Sequence, residues 1–197
     1  MQTIKYLIID TETTGLDASK HEMLAFGAVV VVDGRIVETL ELKIKPARIE
    51  NADKKALEVN GYTERAWRDA VTKRDAAEIL KYFLITHRDA TSVGHNLQFD
   101  IKFIKAFSAE QNVELRVPWP YIDTRDLCRA VLAPFGLQSM SLDSICEFLG
   151  WRRKNAHTAL SDCEDCAKLI INLCPPSPRF LLRLKAMQLI RNMGSLL

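Results

Sequence analysis

Residues 23–45 constrain the fold more than any other stretch. "MLAFGAVVVV" (23–32) is apolar and β-branched throughout, "DG" (33–34) is a tight-turn pair, and "RIVETLELKIK" (35–45) alternates apolar with polar residues. An unbroken apolar strand must be covered on both faces, and an alternating partner keeps one face wet. The "DG" pair joins them as a hairpin. "IKYLIID" (4–10) is apolar enough to lie beside them as a further central strand. The chain is therefore predicted to open with a meander of three antiparallel strands.

After Pro46 the period changes. Helices are expected over 52–60, 73–87, 99–112, 124–133, 141–149 and 156–173, with short strands at 90–96 and 120–124. Strands that alternate with helices pair in parallel, so the sheet should be mixed and covered by helices. "CPPSP" (174–178) stops the last of these helices. One more helix is expected over 179–194. The chain divides into a body, 1–174, and a basic helical tail, 175–197. The tail contains Arg179, Arg183, Lys185 and Arg191 and no acid, so it carries +4, while the body carries −2. It either packs its apolar face on the body or docks a polymerase, another partner or nucleic acid.

The chain has 197 residues, 48% hydrophobic and 26% charged, which suits a soluble globular protein with one good core. It has no apolar run long enough to span a membrane and no signal-peptide pattern at its start, so a cytoplasmic protein is expected. Five cysteines, an odd number, fit reduced thiols in that compartment. Cys163 and Cys166 form a C-x-x-C, but it lies in a helical stretch with no second pair at zinc spacing. They are read as ordinary helix residues. "QSMSL" (138–142) superficially matches a clamp-binding peptide but runs into a body helix, and no such role is assigned.

The chemistry lies in "LIIDTETTGL" (7–16). Asp10 and Glu12 are two apart on a strand and project from one face near its end. Two carboxylates about 4 Å apart repel by roughly 4 kcal/mol at an effective dielectric near 20. Such a pair sits in water or is held by cations. Further along, "VGHNLQFD" (93–100) delivers Asp100 at a helix start, and "HTALSD" (157–162) brings His157 and Asp162 to another. Four carboxylates balance two divalent cations, and hard oxygen donors with open positions suit Mg²⁺ or Mn²⁺ and a phosphate. This is the logic of two-metal phosphodiester hydrolysis, in which one ion activates water and both stabilise the attacking and leaving oxygens.

"DTETTG", "GHNLQFD" and "HTALSD" resemble, in order, the three motifs of the DEDD exonuclease superfamily, and a histidine five residues before the last Asp resembles its DEDDh branch. The proofreading exonuclease subunit of bacterial replicative DNA polymerase is similar, as are several stand-alone DNA and RNA exonucleases. The resemblance covers residues 4 to 173. It implies an α/β, ribonuclease H-like mixed sheet of five strands, three antiparallel and two parallel. It also implies 3′→5′ removal of nucleoside monophosphates, with two Mg²⁺ (or Mn²⁺) held by Asp10, Glu12, Asp100 and Asp162. His157 would be the general base, a task that its intrinsic pKa suits.

The resemblance further places Thr13, Thr14 and Leu16 at the 3′-terminal nucleotide and lays the Phe99 ring against a base or sugar. His95 and Asn96 orient the site or reach phosphate. Turn hydrogen bonds compete for the threonines and core packing for Phe99. "WRRK" (151–154) puts three cations shortly before His157, either on the phosphate side or in solvent. The expected substrate is a single-stranded or frayed 3′ end, DNA first and RNA as the alternative. A catalytically silent binding module and an endonucleolytic ribonuclease H are the rival readings.

Overall fold

The computed structural model describes residues 3–153 and 157–194. Lys154, the last residue of the "WRRK" run, lies outside them, as do Asn155, Ala156 and the final three residues of the tail. Five strands, β1 (Lys5–Thr13), β2 (Met23–Val32), β3 (Arg35–Lys43), β4 (Thr91–Gly94) and β5 (Tyr121–Asp123), form one sheet in the order β3-β2-β1-β4-β5. β1 pairs antiparallel with β2 and β2 with β3, whereas β4 runs parallel to β1 and to β5. Among the described residues, seven α-helices follow the expected order: α1 (Lys54–Asn60), α2 (Lys73–Thr86), α3 (Leu97–Gln111), α4 (Thr124–Leu132), α5 (Leu142–Phe148), α6 (Ala159–Leu173) and α7 (Pro178–Gly194).

The sheet separates two cores. Leu7 and Ile9 of β1 pack with Leu80 and Leu84 of α2 and Ile104 and Phe107 of α3. Ile8 packs from the other face with α4, α5 and α6. This is period-two alternation with both faces buried. β2 is buried on both sides, as its composition requires. β3 departs from the expected alternation. The ladder shifts between Val30 and Val31, so Val37 has no partner on β2, and it and its neighbour Ile36 are left exposed at the sheet edge. A bulge of this kind twists an edge strand and blunts it against edge-to-edge pairing.

Two boundaries move in ways that matter for function. β1 continues to Thr13, three residues beyond the expected end, so Asp10 and Glu12 lie within a paired strand opposite Gly27 and Ala25. α6 begins at Ala159, so His157 stands before the helix in a left-handed conformation (φ 69°). The tail helix α7 buries Phe180 and Leu184 against the second core and leaves Leu182, Leu189 and Ile190 exposed. Among the described residues, no helix is long and apolar enough to cross a membrane.

Candidate active site

β4 pairs with β1 only as far as Ile8 and Val93, so the β4 side of β1 is uncovered beyond that point. Asp100, in the first turn of α3, fills part of the space. Its Oδ1 accepts from the backbone N–H of Thr11 at 2.8 Å and from the Thr11 hydroxyl at 2.7 Å. A strand that ends early thus leaves a backbone donor free to fix a carboxylate. On the other side of the sheet, Asp162 lies in the first turn of α6. Gly27, opposite Asp10, allows the approach: a Cβ there would lie 2.3 Å from the Ala159 carbonyl carbon and 2.6 Å from Leu160 N. Only a residue without a side chain lets a helix backbone rest on a strand this closely.

The four carboxylates are thereby brought together. Burial holds Asp10 well above the usual carboxylate range, and the charges of Asp100, Glu12 and Asp162 push it further. Glu12 is pushed up to about 8 by burial and by the charges of Asp162 and Asp100. Asp100 rises to about 7, again from burial, against the downward pull of the Thr11 hydrogen bonds. Asp162 is raised by burial and lowered in part by the neighbouring Arg153 guanidinium. Like charges out of water favour protonation or a cation. Hard oxygen donors that repel one another this way fit two divalent ions better than they fit one another. As they stand, no three such side chains among the described residues close into a ready-made cage. The Thr11 and Arg153 contacts each occupy one oxygen of a prospective ligand.

Arg153 was read from the sequence as phosphate-side or solvated. Instead it turns inward, with its side chain 9% exposed. Its guanidinium donates to Asp143, to Asp162, and through Nε to Asp165 Oδ2 at 3.0 Å. Asp165 also receives Lys168 Nζ at 2.8 Å. Asp162 Oδ1 accepts additionally from the backbone N–H of His157 at 3.3 Å. The His157 side chain is exposed, beside a cavity of about 270 Å³ lined by Glu12, Lys43, Asn60 and Trp67. Histidine is among the few non-glycine residues that enter the left-handed region, and strain of this kind is frequent at functional sites.

On the far side of Glu12, Leu16, Phe99, Thr13, Ala56, Val59 and Asn60 line a second cavity of about 310 Å³. Leu16 is 82% exposed at its rim, and Phe99 leans on Phe103 with ring centroids 4.9 Å apart. The threonine side chains do turn chemistry. Thr13 Oγ1 donates to the Gly15 carbonyl at 2.7 Å, and Thr14 Oγ1 accepts from Glu22 N at 2.8 Å. His95 is engaged at both ring nitrogens, 2.9 Å from Thr124 Oγ1 and 2.9 Å from the Met140 carbonyl. Burial lowers its pKa, and a neutral ring can donate from one nitrogen and accept at the other. It braces the loop from inside. Asn96, in a left-handed conformation (φ 72°), presents its N–H to Asp123 Oδ1 at 3.2 Å.

Three supporting residues escaped the sequence reading. Asp123 also accepts from Leu97 N and Arg125 N, so one carboxylate caps the starts of both α3 and α4. "IDT" before a helix is a capping signal that could have revealed the second half of this role. Asn60 donates to the Thr13 carbonyl at 3.0 Å and forms a wall of both cavities. Asp165 lies three residues after Asp162 in a helix and is buried, a spacing that puts the two on one face. Cys163 and Cys166 are buried free thiols packed in the second core, and burial raises both well above the usual thiol range.

Residues 7–170 match the model of an exonuclease family, RNase_T. The chain belongs to this family, the DEDD 3′→5′ exonucleases. The PolC-type DNA polymerase III of Thermotoga maritima is 34% identical over 168 residues, which is 84% of this chain and 12% of the relative. That of Bacillus subtilis is 29% identical over 169 residues, 85% of this chain and 11% of the relative. The chain thus spans about an eighth of the length of these curated relatives. Among solved structures, Escherichia coli exonuclease I in complex with a dT13 oligonucleotide superposes with a TM-score of 0.77 at 19% identity. That match covers 89% of this chain and 42% of the other. It establishes the shared ribonuclease H-like fold.

Proposed function

We propose that the protein is a two-metal 3′→5′ exonuclease that releases nucleoside monophosphates from single-stranded or frayed 3′ ends of DNA in the cytoplasm. The observation that supports this reading is the electrostatic coupling of the buried Asp10 to Glu12, Asp100 and Asp162, with the exposed His157 and a cavity lined by Leu16 and Phe99 both bordering Glu12. The four carboxylates would hold two Mg²⁺ or Mn²⁺, which when bound supply charge neutralisation at the phosphate and acidify water. The 3′-terminal nucleoside enters the cavity between Leu16 and Phe99, with Thr13 in its wall; Thr14, expected beside it, is buried, its N–H on the Glu22 carbonyl and its own carbonyl accepting from Asp53 N. His157 accepts the proton of the attacking water. His95 and Asn96 keep the Asp100 turn in register. The DNA preference is supported by the relatives, which are named as DNA polymerases. The basic tail is assigned to contact with a polymerase or another partner.

The test is one digestion panel with Mg²⁺ or Mn²⁺ on single-stranded DNA, on duplex DNA with a mismatched 3′ end and on RNA. Wild type should release 5′-monophosphates stepwise from the 3′ end of single-stranded DNA, and Asp10→Ala should release none. Undiminished hydrolysis in excess EDTA, or cleavage of an end-blocked circle, would overturn the reading. Preferential digestion of RNA would move the substrate to the alternative polymer.

A further inference from the structure

A polymer whose 3′ end occupies the Leu16–Phe99 cavity must leave along some surface. α3 supplies a wall between that cavity and a second groove. Phe99 lines the cavity, while Gln98 and Ile101 line a groove of about 400 Å³ between α3 and the segment that leads into β5. Successive helix residues point about 100° apart, so Gln98 and Phe99 of the same turn serve different flanks. Trp119 stands at this groove, 76% exposed, a large apolar ring left in water. It is held edge-on to Tyr121, with ring centroids 5.0 Å apart. Tyr121 in turn accepts from Gln98 Nε2 at 2.8 Å, so the aromatic pair is tied to the first turn of α3.

The charge of the lining has one sign. Lys105 and Arg116 are its two ionised residues, and none of the lining residues is acidic. Arg116 is paired with Glu114, which lies outside the lining, at 2.6 Å, and Lys105 is left facing solvent. A fixed, exposed indole among cations is what sequence-tolerant single-strand binding uses: bases stack on the ring and cations meet the phosphates. A protein partner would also accept the apolar floor, but the position of the groove one helix flank from the terminal-nucleotide cavity favours the strand already held there.

We infer that the Trp119 groove binds the single-stranded segment 5′ of the nucleotide being removed, with a base stacked on Trp119. This rests on the exonuclease reading above, and the experiment separates the two. Steady-state hydrolysis is measured on the p-nitrophenyl ester of thymidine 5′-monophosphate, which has no nucleotide to place in the groove, and on an oligothymidylate of about twenty nucleotides, for wild type, Trp119→Ala, Trp119→Phe and Lys105→Glu. Trp119→Ala should raise KM for the long substrate roughly tenfold, as loss of one base stack would, with its kcat and both constants for the small ester unchanged. Trp119→Phe should recover most of the loss, and Lys105→Glu should weaken long-strand binding more at low salt.

In the hydrolysis-dead Asp10→Ala background, the long oligonucleotide should quench tryptophan fluorescence, and the quenching should fall when Trp119→Phe is added. Equal KM for Trp119→Ala and wild type on the long strand, with quenching independent of Trp119, overturns the inference; a protein-docking role would give that result. Failure of wild type to cleave either substrate sinks the exonuclease reading instead, and the quenching measurement still decides the groove.

Discussion

Asp100 and His157 are both sequence-assigned members of the site, yet the fold treats them in opposite ways. Asp100 is 2% exposed, is set in the first turn of a packed helix, and accepts two hydrogen bonds from Thr11. His157 is exposed, precedes its helix, and is tied to the site through its backbone N–H. The carboxylates are fixed by strands and helix starts before anything binds. The proposed base sits on a connecting segment, where a side chain can change position at little cost to the core. Positions that must repel one another need rigid support, whereas a proton acceptor needs access to water.

The comparison can be broken most directly at the rigid end. Asp10→Ala and Asp162→Ala should each nearly abolish hydrolysis with the protein still folded, measured by release of mononucleotide and by circular dichroism. His157→Ala should lose about 10²–10⁴-fold in kcat, the usual scale for a general base, while its affinity for Mn²⁺ stays at the wild-type value. A loss of metal affinity in that variant would show that the two ends are not separate.

Arg153 bridges them, since it contacts Asp162 and sits in the segment that leads to His157. Arg153→Met leaves Asp165 buried without its guanidinium partner. Removal of one member of a buried pair costs about 3–5 kcal/mol, read as a lowered denaturation midpoint. Asp143→Asn, at the exposed end of the same network, should cost under about 1 kcal/mol.

The same comparison can be sharpened by pH. Glu12 and Asp100 have folded pKa values of about 8 and about 7, against ordinary values of 4.5 and 3.8. Between those limits the folded state binds more protons than the unfolded state, so stability falls as pH rises. The metal-free protein should therefore lose stability from about pH 4 towards about pH 8. Added Mg²⁺ should restore most at the upper end. A melting temperature that rises across this window without metal would contradict the burial of Glu12 and Asp100 that raises both carboxyls.

Much of this was legible because it is local. Period-two patterning and the "DG" turn gave the antiparallel strands, and the order of helices and short strands gave the parallel ones. The three acidic motifs each carry their own turn or helix start, so Asp10, Glu12, Asp100 and Asp162 could be named one motif at a time. What was missed depends on contacts between distant segments. Asp123 caps two helices, and only one of them follows it directly in sequence. The sequence leaves Arg153 on the phosphate side or in solvent because its partners, Asp162 and Asp165, lie nine and twelve residues away on another element. The exposed pair Ile36 and Val37 needed the register shift in the ladder, and that shift is set by β2 as much as by β3.

Gly27 has the widest reach. Most helices meet a sheet through a layer of side chains, and that layer absorbs small errors in twist or spacing. At Gly27 the layer is missing, and the carbonyl of Ala159 rests almost on bare strand. The spacing between Asp10 and Asp162 is therefore set by the thickness of two backbones, the dimension of a protein that substitution changes least. The cores above and below the sheet can be repacked without moving this datum, whereas a single methyl group at position 27 would shift it.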